Sequence, residues 1–248
     1  MTISPQPPAL SPSEGPPAAA RVVALMEVLL CSGYPTQIEL GATLSVLGFA
    51  AETPQHALRI GYVVAVSLAD SVAVIGLVLL FLRTHGERPR DVLLGCRRIV
   101  REAVAGLPLI LVAIGIAGVV LTVIQQFVPS LHNVEHNPLQ DLMKSPRNAG
   151  LFVVVAFVAG GLREEIQRAF LLHRFEAWLG GGVTGVIVTS AAFGAGHLIQ
   201  GVDAAVATGL LGAFWGSVYL RRRSMIAPMV SHVGFDLLQI VQFLIVSR

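Results

Sequence analysis

Residues 60–83 read IGYVVAVSLADSVAVIGLVLLFLR, an apolar run in which Asp70 and the closing Arg83 are the only charged residues. About 20 mostly apolar residues in a helix cross the hydrocarbon core of a bilayer, and this stretch meets that length. Four more stretches meet it or come near: 104–128, 149–175, 183–200 and 225–246. A further one, 203–220, is slightly short but uninterrupted. The stretch 21–50 is broken by Ser32-Gly33-Tyr34-Pro35, and reads as one kinked span or as a re-entrant half-helix followed by a short span. Counted as one, it gives an all-α, polytopic transmembrane helix bundle of about seven spans.

Composition points the same way. Charged residues make up 13% of the chain, against roughly 25% in an average soluble domain. Apolar residues make up 54% and the mean hydropathy is +0.73, while aromatics are only 6%, so the excess is aliphatic. A soluble domain of this size needs a charged surface that this chain does not supply, so lipid is the solvent that fits. The net charge of +2 comes from clustered basic residues, with no basic stripe interleaved with aromatics, which argues against a nucleic-acid partner. Cys31 and Cys96 form no CxxC and read as small buried or interfacial side chains.

Residues 1–20, MTISPQPPALSPSEGPPAAA, are rich in Pro, Ser and Ala and read as a disordered tail, without the basic start and apolar run of a secretory signal. Residues 21–148 form the N-terminal membrane helices, and 149–248 a C-terminal group. Between 84 and 103 the Arg-rich, amphipathic ERPRDVLLGCRRIVREA predicts a helix lying at the membrane surface. Basic residues also gather at Arg221-Arg222-Arg223 and at Arg163, Arg168 and Arg174, whereas 129–148 mixes acids and bases. With seven crossings the basic regions share one side, which predicts a multi-pass protein of the cell (inner) membrane with a cytoplasmic N-terminus and an outside C-terminus.

Ionisable groups inside hydrocarbon are stable only where they face a cavity or one another, so those within spans carry the information. They are Glu27, Asp70, Glu164, Glu165, Arg168, His197, His232 and Asp236. Glu164 and Arg168 stand one helical turn apart and can pair, either as a structural ion pair or to hold a carboxylate ionised. His197 follows Phe193-Gly194-Ala195-Gly196, whose small residues place it in a helix interface. His232 and Asp236, at i and i+4, share one face, so the carboxylate can fix the imidazole tautomer or share a ligand. Asp70, among Ser67, Ala69 and Ser71, reads as a structural or cavity-lining group. A transporter would use such a residue for proton coupling, but no internal repeat accompanies it.

Carboxylates with an Arg, followed by histidines on two further spans, are what water-driven peptide hydrolysis in a membrane requires. The chain has no HExxH. This order resembles the CPBP family, the CAAX-type proteases and bacteriocin-processing enzymes, over about residues 150–240. That family shows Glu-Glu-x-x-x-Arg, Phe-x-x-x-His and His-x-x-x-Asn/Asp on successive membrane helices. Phe193 and His197 match the second motif, and His232 and Asp236 the third. The first departs, because Arg168 follows Glu164 by four positions rather than five. Holding Arg168 in register puts Arg163 at the first Glu position and Glu164 at the second; holding the Glu pair shifts the Arg by one. Arg-Ala-Phe-Leu-Leu at 168–172 resembles the family's continuation and favours the former.

The resemblance implies an intramembrane endopeptidase acting on a membrane-associated protein or peptide. Glu164 and Glu165 are then the candidates to activate water, and Arg168 orients a carboxylate. His197 and His232 contact water, oxyanion or a metal, with Zn²⁺ the candidate ion, and Asp236 supports His232. Both a metal-dependent and a metal-free glutamate mechanism stay open. The alternative is a non-catalytic scaffold or immunity-type protein of the same fold. At 1.5 Å per residue, His232, Glu164 and His197 fall roughly 10, 15 and 20 Å from the inner edge, a spread that tilt must absorb if they share a site.

Overall fold

A computed structural model describes residues 17–54, 57–135, 137–143 and 145–246. Among them the chain forms eleven α-helices: α1 (Ala18–Leu30), α2 (Tyr34–Val46), α3 (Ile60–Thr84), α4 (Pro89–Leu93), α5 (Ile99–Phe127), α6 (Pro138–Asp141), α7 (Pro146–Val155), α8 (Glu164–Trp178), α9 (Gly181–Ala195), α10 (Val202–Arg222) and α11 (Ile226–Val246). A π-helical segment, Ala156–Arg163, joins α7 to α8 without a break. The fold is an all-α membrane bundle, as the composition requires.

Four helices are long and apolar enough to cross a membrane: α3, α5, α10 and α11. The bent pair α1 and α2 raises this to five if it is one span. The expected count of about seven is therefore not reached, for two physical reasons. The 149–175 stretch continues into α8, whose Glu164, Glu165, Arg168 and Arg174 make it too polar, and 183–200 stops being helical at Ala195. Both nevertheless run between the two ends of the bundle. At one end Arg174 pairs with Glu87 (2.7 Å) and Arg223 with Glu176 (2.8 Å). At the other, Asn137 donates to Gln200 (3.1 Å) and His132 meets Asp203 (2.6 Å).

The break in 21–50 falls where expected, at Ser32-Gly33, with a bend of 44° between α1 and α2. Gly33 takes φ +84°, a left-handed conformation that glycine adopts without a Cβ penalty. The surface helix expected over 84–103 is confined to the five residues of α4, because Gly95 turns the chain (φ +62°) against the Arg223 carbonyl and Ile99 already begins α5. Of the expected tail, 1–16 lie outside the described residues, and Ala18 already belongs to α1.

The helices meet where side chains are small or paired. α9 and α10 approach closely at Gly194, where a Cβ would stand 2.6 Å from the Ala205 carbonyl oxygen. α8 is buried along most of its length, with Phe170 and Leu172 in the core and most of its ionised groups paired. Glu27 of α1 accepts from Arg174 Nε (2.5 Å) and meets His85 (2.6 Å), while Glu87 takes His173 (2.8 Å) and Arg174 Nη1. Asp70, fully buried in α3, accepts from Arg163 Nη2 (2.6 Å), Gln37 (3.3 Å) and Thr36. Arg163 also donates to Gln167 (2.9 Å), which reaches the Cys31 carbonyl (2.8 Å), so one network ties α1, α2 and α3 to the start of α8. Asp70 is thus structural, as its small neighbours indicate, and Cys31 is buried while Cys96 is exposed.

Removing one partner of a buried ion pair strands the other charge and costs about 3–5 kcal/mol. Asp70→Ala should lower the unfolding temperature sharply in detergent, and Asp70→Leu with Arg163→Met should recover most of the loss; equal stability of wild type and Asp70→Ala would contradict the pairing. Glu87 sits outside the spans. Partial burial pushes its carboxyl up, but the hydrogen bonds from His173 and Arg174 outweigh this and hold it below the usual carboxylate range. Its contribution to stability is therefore present above the unfolded value of about 4.3 and lost as pH falls through the folded value. Melting curves over that acidic window should show a smaller loss in Glu87→Gln than in wild type.

Candidate active site

The site is built on the join between the π-helical segment and α8. A π-helix closes i→i+5 hydrogen bonds and so inserts an extra residue relative to an α-helix, re-aiming the side chains that follow it. Gly160 and Gly161 within it let α11 come close. A Cβ on Gly160 would lie 2.8 Å from Asp236 Oδ2, and one on Gly161 would overlap the Val233 side chain. Asp236 and His232, one turn apart on α11, are thereby brought against Glu164 and Glu165.

Glu165 is the anchored carboxylate. Its side chain is 1% exposed and is held by Arg168, and by His232 Nδ1 at 2.9 Å. This corrects the expected Glu164–Arg168 pair: Arg168 takes Glu165 at i+3, so the residue whose direction differs by about 100° from Glu164 is the one that Arg168 orients. The Arg168 guanidinium also lies 4.7 Å from the Phe193 ring centre and 5.6 Å from that of Trp215, which shields it from lipid. A carboxylate only accepts, so His232 donates from Nδ1 and presents Nε2.

Glu164 is the open carboxylate, 16% exposed, with no direct hydrogen bond among the described residues. Its Oε2 stands 3.8 Å from His232 Nε2, and Asp236 Oδ2 stands 3.8 Å from the same nitrogen. Both gaps exceed a direct hydrogen bond. Two half-open carboxylates and an imidazole nitrogen thus face a common point, whereas Glu165, Arg168 and Trp215 behind them are buried.

His197 is not inside a helix, as expected, but in the turn after α9. Its Nδ1 donates to the Phe193 carbonyl (2.9 Å), which leaves Nε2 as the free nitrogen. The Phe193 ring separates the two histidines, 4.9 Å from His197 and 6.1 Å from His232, so the second and third motifs meet at one aromatic side chain.

Both histidines hold the tautomer a metal ligand would adopt. Yet among the described residues no three His, Cys, Asp or Glu side chains gather as ligands for one ion. His232 Nδ1 is taken by Glu165, and His197 has only a backbone partner. As placed, these residues do not form the three-ligand centre a catalytic zinc needs, and no step is routed through a metal.

One site residue has no counterpart in the sequence reading. Trp215 stacks on His232 with ring centres 3.8 Å apart and planes 20° off parallel, and its indole N–H donates to Ser231 (3.1 Å). It fixes the plane of the imidazole that Glu165 fixes in rotation. The one signal for it is position: Trp215 lies well inside α10, not at a membrane boundary where Trp commonly anchors a span. Arg163 is likewise held, by Asp70, with its Nη1 only 4.0 Å from Glu164.

Residues 146–238 match the model of the family described as Type II CAAX prenyl endopeptidase Rce1-like. The match begins at α7 and ends within α11, and so contains all six residues discussed above. No curated protein and no solved structure matches the chain. Over residues 146–238, in the all-helical bundle, the chain is thus similar to the Rce1-like type II CAAX prenyl endopeptidases.

Proposed function

We propose that this protein is an intramembrane endopeptidase that hydrolyses a peptide bond of a membrane-associated protein or peptide by means of a glutamate-activated water. The observation that carries the reading is that Glu164 and Asp236 each stand 3.8 Å from His232 Nε2, which gathers two carboxylates and an imidazole nitrogen around the place where the attacking water would be held. In this reading the chain is a multi-pass protein of the cell (inner) membrane, and its Arg-rich end faces the cytoplasm.

Glu164 is the base. It takes a proton from the water as the oxygen attacks the scissile carbonyl, then returns that proton to the amide nitrogen as the C–N bond breaks. His232 and Asp236 orient the water, and Glu165 with Arg168 and Trp215 keep His232 in place. His197, with Nε2 free, contacts the attacking water. The division of labour follows from exposure: the half-open carboxylate can reach substrate, and the clamped one cannot.

A second reading, a non-catalytic scaffold of the same fold, is favoured by one observation. Arg163, which stands at the family's first Glu position when Arg168 is held in register, is locked on Asp70 and cannot act as a base.

A quenched fluorescent peptide with a lipid anchor, assayed in proteoliposomes, separates the two. Removal of a general base lowers rates by about 10²–10⁴, so Glu164→Gln should lose that much kcat with unchanged melting, since no direct hydrogen bond is lost. Wild-type turnover in Glu164→Gln and in His197→Ala would remove both from the mechanism, and no turnover by the well-folded wild-type protein would establish the scaffold reading instead. Trp215→Leu should lower kcat more than it raises KM, because it frees the His232 ring without touching substrate; an unchanged kcat would remove Trp215 from the mechanism.

A further inference from the structure

The Arg-rich end of the bundle carries charge that the fold does not use. Five carboxylates lie there near the basic residues, and four are consumed internally. Glu27 is taken by His85 and Arg174, Glu87 by His173 and Arg174, Glu176 by Arg223, and Glu102 by Arg222 through two hydrogen bonds of 2.7 and 2.9 Å with Arg97 nearby at 3.8 Å. Asp91 is the fifth, and it faces solvent. Against it stand Arg88, Arg90, Arg98, Arg101 and Arg221, all exposed and without a protein partner among the described residues.

These groups occupy a braced surface. Arg97 donates to the Arg222 carbonyl (3.0 Å), and Met225 N–H donates to that of Leu93 (2.9 Å), so the 88–98 connection is fastened to the end of α10. Next to Arg98 and Arg101 along α5, the exposed side chains turn aliphatic at once: Ile99, Val100, Val104 and Leu107 all lie open. A cationic rim directly above an open aliphatic face matches a molecule with an anionic head and hydrocarbon tails.

The choice of cation narrows the ligand. Of the 17 basic side chains in the sequence, every one but Lys144 is arginine. A guanidinium is planar and offers paired N–H donors that fit two oxygens of one phosphate, whereas an ammonium acts as a point charge. We infer that the surface formed by Arg88, Arg90, Arg98, Arg101 and Arg221 binds the phosphate headgroups of anionic phospholipids, with the acyl chains lying along the Ile99–Leu107 face of α5. The inference concerns a surface separate from Glu164 and His232, and holds whether or not the chain is a protease.

The test uses the full chain in neutral detergent micelles and reads melting temperature against added dioctanoyl phosphatidylglycerol, dioctanoyl phosphatidylcholine or inorganic phosphate at matched ionic strength. Each basic residue near an anionic lipid surface contributes roughly a fivefold gain in affinity. Wild type should bind phosphatidylglycerol at least about tenfold more tightly than phosphatidylcholine, with the preference shrinking in 1 M salt, where the screening length falls to about 3 Å. In Arg98→Gln/Arg101→Gln/Arg221→Gln the preference should fall by about tenfold or more while melting without lipid stays unchanged, because these side chains have no internal partner. Equal affinity for the two lipids in wild type overturns the inference, as does a triple variant that keeps the preference. Protection by inorganic phosphate equal to that by phosphatidylglycerol overturns the lipid assignment in favour of a soluble anion.

Discussion

Glu165 is the residue on which the rest of the site depends. A carboxylate that is 1% exposed in a bundle of this composition is stable only if its charge is met on the spot, and here Arg168 and His232 meet it. That single group joins α8 to α11, sets the His232 tautomer, and turns Nε2 toward Glu164 and Asp236. Trp215 and Phe193 close the aromatic wall around the Arg168 charge. With Glu165 engaged in this way, Glu164 is left as the carboxylate free to meet water.

The same rule governs the remainder of the molecule. Asp70, Glu27 and Glu102 are all nearly fully buried, and each finds an arginine: Arg163, Arg174 and Arg222. Two of these pairs, with Asp70 and Glu27, attach helices outside the family-matched segment to the helix that carries the site. The N-terminal helices are therefore more than a membrane anchor, since α3 supplies the counter-charge for the residue immediately before Glu164. Where the charges are not matched internally, at Arg88 to Arg101 and Arg221, they lie at the bundle end beside open aliphatic surface.

Much of this was legible in the sequence, and the failures have physical causes. Long aliphatic runs such as 60–83 and 104–128 declare themselves, because nothing but lipid suits them. Charge-bearing segments do not: 149–175 fails as a simple span because the groups that matter most for chemistry lower its hydropathy. The resemblance groups Glu164, Glu165, Arg168, His197, His232 and Asp236, and in the fold Glu164, Glu165, Arg168, His232 and Asp236 lie together, with Phe193 linking them to His197. Helical spacing misassigned the partner of Arg168, because i,i+3 and i,i+4 residues are both neighbours on the regular helix α8 and the choice between them is made by His232 on α11, which also holds Glu165. Contacts between residues far apart in the chain, such as Trp215 with His232 or Asp70 with Arg163, leave no trace in local periodicity.

The proposed mechanism needs a water held between Glu164, His232 and Asp236, and Gly160 offers the most direct test of it. An alanine there favours the helix by propensity but places a methyl group 2.8 Å from the present position of Asp236 Oδ2, forcing that carboxylate away. Gly150, beside which a Cβ meets nothing within 4 Å, is the control. Peptide cleavage in proteoliposomes should fall by about tenfold or more in Gly160→Ala, as expected when one water-orienting hydrogen bond is displaced, and stay at the wild-type rate in Gly150→Ala, with neither variant melting earlier. Full activity in a well-folded Gly160→Ala protein would contradict the account.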